Sequence, residues 1–294
     1  MNHIPVSPSL QHPFQTRCLA LLCALLFSVG AARGADDRLA DTARIIEGQL
    51  GAEVGLAVYY SGDGTWSLYK SDQRFPMAST FKVLACAALL ASDVPDAPSL
   101  RVETLQDYSP VTETLVGQAV SPHQMCAATM RTSDNTAANL VLEALGGPQA
   151  VTQFVRGLGD TITRLDRLEP ELNAGTPGDP RDTTTPRAMA QTLQRLILGD
   201  GLAAPARAML TGWLQSNEVG GPLLRAGLPA DWMIADRTGA GGYGTRGIAA
   251  VMEPPGRAPI VAAIYITGTE ASLDKRNAAI AALGRVIAEL ETAP

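Results

Sequence analysis

Strand-like segments occupy the two ends of this chain and helical ones its middle, and few folds accommodate that order. Val54 to Tyr60 and Thr65 to Tyr69 flank the turn Ser61-Gly62-Asp63-Gly64 and read as a hairpin. Three further strands, Trp232 to Asp236, Thr245 to Met252 and Pro259 to Thr267, come only after Trp213. Between them Thr80 to Ala91, Ala137 to Leu145, Ala150 to Leu158 and Pro186 to Leu198 read as helices. Leu39, Ala43, Ile46 and Leu50 predict an opening helix, and Ser272 to Leu290 a closing one. Two early strands and three late ones close most simply into one antiparallel sheet made by both chain ends. The expected class is α+β: a five-stranded antiparallel sheet flanked by helices, with an inserted all-helical lobe. Residues 36–70 and 213–294 form the α/β lobe, and 71–212 the helical one. A functional site belongs in the cleft between them.

Ahead of this core, Arg17 precedes an apolar run from Cys18 to Val29, too short to span a bilayer, followed by small residues Gly30, Ala31 and Ala32. This reads as an export signal over 1–32, cleaved between 32 and 35; the alternative is a retained anchor. The expected mature protein is periplasmic or secreted, a monomer without stable membrane association. Cleavage removes Cys18, Cys23, His3 and His12 and leaves Cys86, Cys126 and His123. One histidine and two cysteines fall short of an ordinary zinc site, so no metal and no cofactor are expected. The same scarcity, with no Gly-x-Ser-x-Gly elbow, disfavours a Ser-His-Asp triad. Losing Arg17 takes the formal net charge from −6 to near −7, and no basic run exists, which argues against a nucleic-acid partner. In an oxidising compartment Cys86 and Cys126 are either a disulfide, stabilising by roughly 4 kcal/mol in the chain-entropy model, or two buried free thiols.

Four polar stretches carry the chemistry: Ser79-Thr80-Phe81-Lys82, Ser133-Asp134-Asn135, Glu169-Pro170-Glu171-Leu172-Asn173 and Arg237-Thr238-Gly239. Each alone has a bland reading as a helix cap, a solvated loop or an edge strand; together they supply a nucleophile, bases, a proton relay and an anion clamp. If Ser79 begins the buried helix, Lys82 lies one turn on, close enough for its amine to approach the hydroxyl. Ser133 can pass a proton to a leaving nitrogen while Asn135 orients substrate and Lys82. Glu169 and Asn173 lie in a Pro/Gly-rich stretch, Arg164 to Asp182, that cannot be one regular helix. There they can grip a water between them, with Glu169 as general base. Arg167 and Asp182 can close that loop as an ion pair. Arg237 and Thr238, following the Trp232 to Asp236 strand, face the cleft and bind a substrate carboxylate, with Arg246 as a second cation. Gly239-x-Gly241-x-x-Gly244 mimics a dinucleotide fingerprint, but a strand follows where a helix is required.

In order and spacing these motifs resemble class A serine β-lactamases, over essentially the whole mature chain. Arg-Thr-Gly in place of the usual Lys-Thr-Gly resembles the carbenicillin-hydrolysing subgroup. The resemblance implies a β-lactamase/transpeptidase-like fold, acylation of Ser79 by a β-lactam, and hydrolysis of the acyl-enzyme by a water activated by Glu169 and Asn173. It further implies an oxyanion hole from the backbone N–H groups of Ser79 and Ala240, Tyr108 at the cleft entrance, a Cys86–Cys126 disulfide, and a cis peptide before Pro170. Substrate binding then falls to Asn135, Tyr108, Arg237, Thr238, Gly239, Ala240 and Arg246. Arg237 keeps the charge of Lys but cannot release a proton near neutral pH. Ala78 and Gly241 stand where carbapenem-hydrolysing relatives have bridged cysteines, so that activity is not implied. The partners expected are small-molecule β-lactams, penicillins and carboxypenicillins first. Competing readings are a D-Ala-D-Ala carboxypeptidase, which lacks the Glu and Asn pair, and a penicillin sensor that acylates once.

Overall fold

The computed structural model describes residues 38–292 together with Met1 and His3, so all but two residues of the predicted export signal fall outside the described residues. Helix α1 (38–50) leads into a hairpin of β1 (Glu53–Tyr60) and β2 (Thr65–Tyr69). The two-residue strand β3 (Phe75–Pro76) and a 3-10 turn (Ala78–Thr80) precede α2 (Phe81–Leu90). Strands β4 (Leu100–Arg101) and β5 (Ala119–Val120) then pair, before helices α3 (Pro122–Thr132), α4 (Asn135–Ala144) and α5 (Pro148–Gly157). β6 (Thr183–Thr184) pairs with β3 and closes a long loop, followed by α6 (Pro186–Ile197) and α7 (Ala204–Gln215). The chain ends with β7 (Met233–Gly241), β8 (Thr245–Glu253), β9 (Ile260–Thr267) and α8 (Leu273–Thr292).

The long strands form one five-stranded antiparallel sheet, as the arrangement of strands along the chain predicts, and its order is β2-β1-β9-β8-β7. Its alternating residues feed two separate cores. Val54, Leu56 and Val58 of β1 and Ile260, Ala262, Ile264 and Ile266 of β9 pack with Leu39, Ile46, Ile280, Leu283 and Ile287. Ala57, Val261, Ala263 and Tyr265 point the other way, into the core of the helical lobe around Phe81, Leu84 and Met189. With both faces covered, the strands read as near-continuous apolar runs instead of alternating ones. Cys86 of α2 is disulfide-bonded to Cys126 of α3, which resolves the choice between bridge and free thiols.

Two differences from the sequence reading bear on the site. The strand expected over Trp232 to Asp236 runs five residues further as β7, because Arg237 to Gly241 continue the ladder against Thr245 to Ala249. Arg237, Thr238 and Gly239 therefore lie within a strand and not after one. The helix expected from Thr80 is α-helical only from Phe81, which leaves Ser79 in the tighter 3-10 turn before it. Ala78, entering that turn, has φ of 42°, a left-handed conformation that costs a side-chain-bearing residue about 1 kcal/mol or more.

Candidate active site

One wall of the cleft comes from α2, the α3–α4 junction and the 164–182 loop. Lys82 lies in the first turn of α2, a helix buried nearly all round, and is itself fully buried. Its amine donates to the Ser133 carbonyl at 2.9 Å, to Ser133 Oγ at 3.3 Å and to Asn135 Oδ1 at 2.7 Å. Glu169 Oε1 stands 3.1 Å away. The Ser79 hydroxyl, expected beside the amine, is not among these partners. Burial pushes the Lys82 amine down to about 8, a shift opposed by the Glu169 carboxylate and reinforced by Arg237. Asn135 Nδ2 is fixed on the Asp107 carbonyl at 2.9 Å, so Oδ1 must face Lys82.

Ser133 is held at φ of 69°, capping the C-terminus of α3. Its neighbour Asp134, to which the sequence assigned no role, fixes this turn. Fully buried, Asp134 caps α4 through Ala137 N at 2.8 Å and accepts from Val111 N and Thr112 N, both at 2.9 Å, and from Thr112 Oγ1 at 2.8 Å. The segment bearing Tyr108 is tied on by Asn135 N, which donates to the Tyr108 carbonyl at 3.0 Å. The Tyr108 ring is 58% exposed.

The loop is closed by the ion pair between Arg167 Nε and Asp182 Oδ2 at 2.5 Å, while Asp182 Oδ1 accepts from the backbone of Asp166 and Arg167. The Glu169–Pro170 peptide is cis. Asn139 on α4, absent from the sequence reading, clasps Glu169 at both backbone groups: Oδ1 accepts from Glu169 N and Nδ2 donates to Glu169 O, each at 2.9 Å. A lone amide on the apolar face of α4 is the signal that could have found it. Asn173 Nδ2 donates to Glu169 Oε2 at 2.5 Å. Asn173 Oδ1 is a buried acceptor to which no protein hydrogen bond is directed, and Glu169 Oε1 faces only the Lys82 amine. Buried acceptors of this kind carry a desolvation cost until a donor reaches them.

The opposite wall is β7 and its partner β8. Gly239 is forced by proximity: a Cβ there would sit 2.8 Å from the Met77 carbonyl and 3.0 Å from Ser79 N, so β7 runs flush against the turn carrying Ser79. This brings the segments of Ser79 and Ala240 together. Arg237 is fully buried, where the sequence reading had it open to the cleft. Nε donates to the Ser79 carbonyl at 3.3 Å and Nη1 to Asn217 Oδ1 at 3.2 Å; buried Nη2 has no partner. Arg246, opposite Ala240 in the ladder, donates to Asn277 Oδ1 at 2.8 Å and to the Gly239 carbonyl at 3.1 Å. Burial pulls both guanidinium groups down to about 10, so both stay charged at neutral pH. Thr238 is buried between them in the ladder. Among the described residues no three His, Cys, Asp or Glu side chains converge as a metal site would need.

The arrangement places a buried amine 3.1 Å from a buried carboxylate, one turn beyond Ser79, and a cationic strand beside the turn that carries Ser79. Comparison with known proteins points the same way. Residues 38–290 match the beta-lactamase enzyme family. The chain is 48% identical over 260 residues to β-lactamase AER-1 of Aeromonas hydrophila, covering 84% of this chain and 86% of that protein. It is 48% identical over 255 residues to β-lactamase PSE-4 of Pseudomonas aeruginosa, covering 85% and 88%. Among solved structures, the chromosome-encoded β-lactamase of Vibrio parahaemolyticus superposes with a TM-score of 0.84 at 42% identity, over 87% of this chain and all of that one. An ancestral class A β-lactamase gives 0.82 at 50% identity, over 85% and 99%.

Proposed function

The chain belongs to the class A serine β-lactamase family, and on that premise we propose that it hydrolyses penicillins, carboxypenicillins included, through an acyl-enzyme on Ser79. In this reading the substrate carboxylate is held by Arg237, Thr238 and Arg246, with Asn135 and Gly239 lining the cleft and Tyr108 at its mouth. The lactam carbonyl oxygen faces the backbone N–H groups of Ser79 and Ala240.

The resting state of Lys82 decides the acylation base. Its amine donates to the Ser133 carbonyl and to Asn135 Oδ1, both pure acceptors, and faces the Glu169 carboxylate. A neutral amine has only two N–H groups and would turn its lone pair on that carboxylate, so Lys82 rests as the ammonium. Glu169, through a water, then takes the Ser79 proton. Ser79 Oγ bonds to the lactam carbonyl carbon, the C–N bond breaks, and the nitrogen takes a proton from Ser133 Oγ, resupplied by Lys82. Glu169 then passes the proton it took to the neutral Lys82 amine 3.1 Å away, which restores both groups; for deacylation its carboxylate removes a proton from a water that attacks the ester, and that proton goes to Ser79 Oγ as the ester C–O bond breaks.

The observation that supports this most is the immobilised Glu169: 2% exposed, clasped by Asn139 and Asn173, with its Oε1 3.1 Å from the Lys82 amine. We expect Glu169→Ala to accumulate a benzylpenicillin adduct visible by intact-mass spectrometry and to turn over at least about 10³-fold more slowly. Wild-type protein that consumes only one equivalent of drug would reduce the protein to a sensor. Delivery to the periplasm as a monomer completes the reading, and N-terminal sequencing of exported protein tests its signal cleavage.

A further inference from the structure

Arg237 touches no carboxylate, although Asp236 is its neighbour in the chain. Successive residues of a strand point to opposite sides, and Asp236 is engaged elsewhere. Arg225 donates through Nε to Asp236 Oδ1 at 2.8 Å and pairs with the same oxygen through Nη2 at 2.5 Å. Asp236 Oδ2 lies so close to Gly220 that a Cβ there would be 2.4 Å away. Between Asp236 and Arg237 stands one neutral group, Asn217, in the turn after α7. Its Nδ2 donates to Asp236 Oδ2 at 2.6 Å, and its Oδ1 accepts from Arg237 Nη1 at 3.2 Å and from Val219 N at 3.1 Å. Every polar atom of this buried amide is engaged, and its two ends face opposite charges.

We propose that Asn217 is a positioning and specificity-determining residue, whose neutral amide fixes the Arg237 guanidinium while keeping it from being neutralised by Asp236. Arg225 balances Asp236, the amide transmits orientation but no net charge, and the cation keeps a free Nη2 for a substrate carboxylate. The inference rests on reading Arg237 as the carboxylate grip. It adds what keeps that grip charged: an insulating amide that no motif contains.

Asn217→Asp is the isosteric test. Its carboxyl would lie about 2.6 Å from that of Asp236, the separation of the present Asn217–Asp236 contact, and two buried carboxyls so close share one proton at mildly acidic pH. The shared proton reproduces the donor that Nδ2 now supplies. As pH rises, the second ionisation sets a negative charge against Nη1, in competition with substrate. With benzylpenicillin, the ratio of variant to wild-type KM is expected to rise about tenfold or more between pH 5.5 and pH 8, while the kcat ratio stays within about twofold. A packing role alone would give a ratio independent of pH. The exchanged pair Asn217→Asp/Asp236→Asn keeps the net charge and moves the carboxylate onto Arg237 outright, so its KM should be raised about tenfold at both pH values; it also decides the matter should the single variant not fold. A flat KM ratio near one in either protein, or a loss confined to kcat, overturns the role of Asn217. Wild type that hydrolyses no benzylpenicillin overturns the underlying reading of Arg237 and this inference with it.

Discussion

Lys82 and Arg237 are both fully buried cations on facing walls of one cleft, yet their surroundings are opposite. Lys82 has a carboxylate at 3.1 Å and neutral acceptors for its N–H groups, so its wall is close to electrically balanced. Arg237 has only neutral acceptors and one idle nitrogen, with Arg246 adding a second cation to the same strand pair. Where charges balance and the amine is drawn down to about 8, moving a proton between neighbours costs little. Where cations are uncompensated and stay charged, an arriving anion is rewarded. In the proposed function one wall serves proton transfer and the other holds charge.

The largest expected effect comes from abolishing the balance on the first wall. Lys82→Met should lower the acylation rate by about 10³- to 10⁴-fold, read as the single-turnover rate with benzylpenicillin. If acylation survives, the amine takes no part in it. On the second wall, Arg237→Ala should lower kcat/KM by about 10²-fold, mainly through KM, because it removes a buried charged partner of the substrate. Arg237→Lys should preserve ampicillin hydrolysis and lose several-fold more with carbenicillin; equal losses would remove Arg237 as the determinant of that preference.

The walls should also separate in their response to pH. Lys82 is protonated below about 8 and neutral above it, and the proposed route needs the ammonium. The ratio kcat/KM should therefore fall as pH rises through about 8, by up to tenfold per unit, whereas a rise there would make the free amine the base. Arg237, drawn down only to about 10, leaves the carboxylate grip intact over that range. An indirect effect is expected from Asn139→Ala. It releases the backbone of Glu169 without touching its carboxylate, and should cost about 1–3 kcal/mol of stability in urea titration and about tenfold in kcat.

The sheet and most helices were legible because they follow from local periodicity, and β1, β2 and α6 lie within a residue or so of their expected limits. β7 extends past Asp236 because Gly239 and Gly241 let a strand pass close to Ser79 and the loop, a tertiary constraint with no local signature. The four motifs named the residues of the cleft, but not what holds them. Asp134, Asn139 and Asn217 act through contacts 20 to 30 residues away in sequence, and a single polar residue on an apolar helix or in a turn does not announce its partner. The burial of Arg237 was equally invisible, since it depends on a turn drawn in from the end of α7.

The sheet order also sets a timetable for folding. Among the described residues β9, the last strand along the chain, joins the pair from the N-terminal end to the pair from the C-terminal end. A nascent chain therefore cannot complete its scaffold until nearly all of it has emerged, and a fragment ending before Ile260 leaves two open strand edges. Such a chain keeps its sheet incomplete for most of its synthesis.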